Sequence, residues 1–170
     1  MHKGFTLFEL ILCIIIIGII SMLGITSYQG MIANQALTYR AERVFYTLQL
    51  AQSEAIKRNT KIYVRFCHQG DIWKMGLSDT SYCDCFTSLS CQLDGVQQVF
   101  PLADGHRLFT SEDDISFSKQ QASFGPFRFS VKLGHITLTN NQQQSLTVIQ
   151  SATRLRLCSP SGEQLGQPVC

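Results

Sequence analysis

The apolar positions of the chain change their spacing twice. From Phe5 to Ile25 they are almost continuous, 21 residues whose only charge is Glu9. Past Ser27 they thin to Leu37, Ala41, Val44, Leu48, Ala51 and Ala55. That four-three spacing keeps them on one stripe of a helix, with Arg40, Arg43, Gln49, Ser53 and Lys57 on other faces. From Lys61 onward they gather in short stretches rich in β-branched and aromatic residues: "KIYVRFC", "IWKMGLS", "QQVFPL", "FRFSVKLGHITLT", "SLTVIQ" and "TRLRLC". Such stretches predict strands, and "GD", "DG", "FGPF", "TNNQQQ" and "SPSGEQ" between them predict turns. Polar and apolar residues alternate in "FRFSVKL", as a strand with one buried face requires.

No proline or loop-like composition separates the apolar run from the stripe, so one helix from about Phe5 to Asn59 is the economical reading. The predicted fold is α+β: a long N-terminal helix whose second half packs against an antiparallel β-sheet head. The first half is long enough to span a bilayer, which takes ~20 apolar residues. Lys3 and the starting amine place the N-terminus in the cytoplasm and the head outside. A cleaved secretory signal fits poorly, because no small-residue cleavage site follows the run. Glu9 is then the anomaly. A carboxylate in hydrocarbon costs ~2.5 kcal/mol or more, so it calls for a task and a partner.

Charge and cysteine content sharpen the picture of the head. The formal balance is only +2, but residues 35–65 carry six basic and two acidic residues, 70–114 two basic and eight acidic, and 115–170 five basic and one acidic. A solvated surface accounts for this pattern more economically than a binding face. Beyond Cys13, which lies in the apolar run, six cysteines remain: Cys67, Cys83, Cys85, Cys91, Cys158 and Cys170. An even set in an extracytoplasmic domain favours disulfides over zinc, whose usual ligand pairs are spaced more widely than Cys83 and Cys85. Cys158 with Cys170 is the one pairing favoured, since both lie on a C-terminal loop. The partners of the other four are left open.

"KGFTLFEL", Lys3 to Leu10, resembles the start of the type IV prepilins. The resemblance implies a leader over 1–4, cleavage between Gly4 and Phe5 by a prepilin peptidase, and N-methylation of Phe5. It also gives Glu9 a partner, the new amine of Phe5 on a neighbouring subunit. Two charges, each costly in hydrocarbon, offset one another when paired. Many pilins carry a proline near the position of Thr26; its absence here argues against a kink there. "AQSEAIKRNTKIYV", "WKMG" and "RLRLC" are similar to the minor pilins and pseudopilins of the GspH/FimT family, in which Trp73 and Gly76 would be packing residues.

The segments implied are leader 1–4, transmembrane and assembly helix 5–26, amphipathic helix 27–60, and a β-rich periplasmic head over 61–170. The function implied is a minor pilin that helps to initiate or cap a type IV pilus. The alternative is an H-type minor pseudopilin of a type II secretion system. Its partners would be other minor and major pilins, the prepilin peptidase and the inner-membrane assembly platform. It would sit in the inner membrane first, and later near a filament tip.

Some FimT-like members receive DNA through a glycine-arginine-x-arginine stretch. Here Arg154 and Arg156 take the arginine positions, with Thr153 in place of the glycine. Two arginines at i and i+2 of a strand point the same way and could hold the phosphates of double-stranded DNA. Lys57, Arg58 and Lys61 form a second basic cluster. Nothing in the sequence suggests catalysis: there is no nucleophile elbow, P-loop or dinucleotide fingerprint, and Glu112, Asp113 and Asp114 read as a solvated acidic turn. No cofactor or metal is expected.

Overall fold

A computed structural model describes residues 6–127 and 130–170, except for the side chains of 22–27. One helix, α1 (Leu7–Arg58, 52 residues), dominates it. Its ends match the expected limits. Thr6 caps the start, and Asn59 ends it in the left-handed conformation (φ 51°), with its N–H bonded to the carbonyls of Ala55 and Ile56. Asparagine tolerates that conformation better than most residues.

Among the described residues ten strands follow: β1 (Ile62–Gln69), β2 (Ile72–Ser78), β3 (Gln92–Leu93), β4 (Val96–Gln97), β5 (Val99–Ala103), β6 (Leu108–Phe109), β7 (Gln121–Phe124), β8 (Gly134–Asn140), β9 (Ser145–Gln150) and β10 (Leu155–Cys158). They form two four-stranded antiparallel sheets, β5-β2-β1-β7 and β10-β9-β8-β6, plus the β3-β4 hairpin. Leu37, Ala41, Val44, Leu48, Ala51 and Ala55 are all fully buried against the inner faces of the sheets. In β1, Ile62, Val64 and Phe66 point inward while Tyr63, Arg65 and Cys67 alternate outward. Ile136 and Leu138 of β8 and Leu146 and Val148 of β9 complete the core. Each fully buried leucine or isoleucine contributes ~1.5–3 kcal/mol, so this stripe is what fastens the head to α1.

The outer face of the first sheet is covered by the loop between β2 and β3, and two disulfides fasten it. Cys67–Cys85 ties the loop to β1, and Cys83–Cys91 closes it on itself. Gly76 of β2 makes room for the second bond: a Cβ there would lie 2.3 Å from the Cys91 sulfur. Cys158–Cys170 fastens the C-terminus to the end of β10, as expected. Trp73 packs in the core as the family resemblance implies, and its ring stacks on His68 at 4.6 Å.

Two expectations need correction. "FRFSVKLGHITLT" is not one strand. Of 127–133, Phe127 is exposed, Val131 makes only an isolated bridge to Phe124, and Arg128 and Phe129 lie outside the described residues. Ser130 turns back to bond Phe127 and Gly125, so the alternation falls in a turn, and the strand begins at Gly134, pressed against the Phe117 ring. β7, "QASF", was not expected; it supplies the outer neighbour of β1. A membrane crossing by 5–26 is not shown by the structure: among the described residues, no helix is long and apolar enough to cross a membrane. The described side chains of that run end at Ser21.

Candidate functional site

α1 is a helix of two unlike halves. From Ala33 onward one face is buried by the head, whereas the side chains of 6–21 are all exposed. Leu7 is 81% exposed, Phe8 73% and Ile20 65%, and no described part of the chain covers them. The result is an apolar rod continuous with the helix that the head grips. Surfaces of that kind mark a contact with lipid or protein.

Glu9 sits at the free end of the rod. Its carboxylate accepts from the Thr6 backbone N–H at 3.1 Å and from the Thr6 hydroxyl at 3.2 Å. The Glu9 N–H donates back to the Thr6 hydroxyl oxygen at 3.3 Å, completing a capping box. Four helix N–H groups at such an end lack helical partners, and this arrangement satisfies two of them, those of Thr6 and Glu9. The signal was present in the sequence, since Thr6-Leu7-Phe8-Glu9 is the T-x-x-E pattern of such boxes. Gly4 and Phe5, the expected cleavage and methylation sites, lie outside the described residues. Cys13 is a free thiol, exposed on the rod.

The two basic features fare differently from expectation. Arg154 and Arg156 differ in exposure. Arg154 belongs to the turn before β10, where its N–H and carbonyl bond the Ser151 hydroxyl, and it is exposed. Arg156 lies within β10 and is half-buried beside α1, bordering a hollow shared with Glu42, Phe45 and Tyr46. Nor is Lys57, Arg58 and Lys61 a free cationic cluster. Arg58 bonds Glu54 at 2.6 Å and clasps both carboxylate oxygens of Asp94 at 2.5 and 2.6 Å, and Lys57 lies 3.5 Å from Glu54. In the acidic turn, Asp114 accepts from the Ser111 N–H and hydroxyl, and the Glu112 carboxylate lies 2.8 Å from the His68 ring.

The family model described as "Type II transport protein GspH" matches residues 40–164. No curated protein matches the chain in sequence. Among solved structures, the minor pseudopilin EpsH from the type 2 secretion system of Vibrio cholerae is similar, with 16% identity and a TM-score of 0.51. The likeness covers 74% of this chain and 98% of that one, and at such identity it speaks for a shared fold.

Proposed function

The chain belongs to the GspH family, and from that premise we propose that it is a minor pseudopilin, a low-copy subunit of the filament of a type II secretion machine. The exposed apolar half of α1 carries the reading. A rod of this kind, attached rigidly to a folded head, is suited to storage in a bilayer and then to packing among the same helices of neighbouring subunits. The apolar run from Phe5 to Ile25, charged only at Glu9, supports a single membrane crossing before assembly, with the head in the periplasm.

The start "KGFTLFEL" supports processing between Gly4 and Phe5 and methylation of Phe5. Glu9 then exchanges its capping contacts with Thr6 for the amine of an adjacent subunit as the helix enters the filament core. The partners are the other minor and major subunits, the processing peptidase and the inner-membrane assembly platform. A minor pilin that initiates or caps a type IV pilus is built from the same parts; the description of the matching family favours the secretion reading over it. A DNA receptor would need Arg154 and Arg156 to act together, and the partial burial of Arg156 gives that role little support.

The test is genetic and chemical at once. Deleting the gene should stop export of type II substrates and leave pilus number unchanged. Cys13 should form an oxidative crosslink to a cysteine introduced into the apolar helix of the major pseudopilin, in sheared filaments. Lost pili with intact export would transfer the chain to the pilus. No crosslink in either filament would remove the assembly role.

A further inference from the structure

We infer that the outer edge of β10 is a strand-addition site, which takes an extended segment of a neighbouring subunit bearing one acidic residue; that the occupant is a filament neighbour rests on the function proposed above. β10 ends its sheet, with β9 on one side only. The direction of its main chain follows from the turn that leads into it. The Ser151 N–H donates to the Arg154 carbonyl at 3.0 Å, so these two residues face each other as a bonded pair. Bonded pairs alternate along an antiparallel ladder. With Arg156 opposite Ile149 and Cys158 opposite Thr147, those two residues face β9. Leu155 and Leu157 therefore turn their N–H and carbonyl groups away from β9, to the open side.

Ser159 confirms the phase. Its N–H donates to the Pro168 carbonyl at 2.8 Å, and its carbonyl accepts from the Cys170 N–H at 3.0 Å, both on the outer side. The chain's own C-terminal stretch thus already adds to this edge at Ser159, in a parallel bridge with Val169 pinned by Cys158–Cys170. At Leu155 and Leu157, one step earlier, no described strand does so. An unpaired edge is a template for another chain.

The open step borders a hollow of about 440 Å³ between β10, α1 and the C-terminal stretch. Its apolar walls include Phe45, Tyr46 and Val169, and the last two are each 60% exposed. Arg156 lines the same space. Its Nε is shielded from solvent with no hydrogen-bond partner among the described residues, and Arg156 takes part in none of their ion pairs. A shielded donor without an acceptor is costly, and a carboxylate is the acceptor that best suits a guanidinium. Glu42 on the helix wall repels a second acid. The occupant that fits is extended, apolar where it meets Phe45 and Tyr46, and acidic once, opposite Arg156.

The probe is the synthetic peptide acetyl-Thr-Val-Glu-Val-Thr-Val-amide, offered to the full chain in detergent micelles. Amide exchange at Leu155 and Leu157 should slow about tenfold or more, while Arg156 and Cys158, already bonded to β9, stay as they were. A peptide with glutamine in place of the glutamate should bind about tenfold more weakly, and Arg156→Gln should erase that difference. Leu155→Pro, which removes an outward N–H at the first residue of the strand along with the leucine's contact with the core, should abolish binding and leave the β9 amides protected. Unchanged exchange at both leucines under saturating peptide overturns the proposal. So does equal binding of the two peptides, or salt-sensitive binding of a DNA duplex at Arg154 and Arg156 without any peptide protection. The assay involves no assembly, so its failure leaves the filament role standing, whereas a missing Cys13 crosslink would count against that role alone.

Discussion

A carboxylate at the head of an apolar helix has two kinds of partner open to it, the N–H groups of its own first turn and a cation brought by another molecule. Glu9 uses the first kind here, through Thr6. On the function proposed above, exchange of these contacts for a neighbour's amine would set the net gain of pairing, rather than the full cost of a bare charge. The T-x-x-E pattern was legible in the sequence, whereas the disulfide partners of Cys67, Cys83, Cys85 and Cys91 were not. Spacing alone says nothing about which cysteines meet across a sheet, and only the register of Cys67 opposite Lys74, with Gly76 one step along, makes the room. Gly76→Ala would place a carbon 2.3 Å from the Cys91 sulfur and 3.1 Å from that of Cys83. Overpacking of that kind costs ~1–3 kcal/mol. The expected outcome is a lowered melting temperature with the Cys83–Cys91 bond incompletely formed, read by thermal denaturation and by thiol labelling of the purified chain.

At the scale of elements, the end of α1 and the β3-β4 hairpin are joined by charge. Arg58 bonds Glu54 one turn back and both oxygens of Asp94 in the hairpin turn. Those hydrogen bonds hold the carboxyl groups of Glu54 and Asp94 below the usual carboxylate range. A depressed carboxylate contributes stability that is present above its ordinary titration range and is lost as pH falls through the lowered folded value. Asp94→Asn keeps the left-handed conformation that Asp94 adopts (φ 52°) and removes only the charge. The variant should melt lower than the natural chain at neutral pH, and the two curves should converge below about pH 4. Parallel curves across that range would contradict the pairing. The helix itself was legible from its four-three stripe, and so were β1, β2 and β9 from their residue types. "FRFSVKL" misled because alternation records which side chains face inward only when the backbone is extended. A turn closed between Gly125 and Ser130 breaks that premise.

For the whole molecule, the architecture divides labour along α1. One half is held by two sheets of a head that carries three disulfides, and the described side chains of the other are bare. The sequence showed that division at the change of period near Ser27, because a continuous apolar run and a one-sided stripe are distinguishable without any tertiary knowledge. What it could not show was the fate of its surface charges. Lys57 and Arg58 read as free cations along the chain and are engaged in space, since Asp94 is 36 residues away in sequence.

On the function proposed above, the bare half of α1 serves a filament that the chain reaches by the prepilin route. The most direct measurement is the intact mass of the mature protein purified from its native membrane. The account predicts a chain that lacks residues 1–4 and begins at methylated Phe5. A mass corresponding to an intact Met1, or to cleavage after the apolar run, would contradict it.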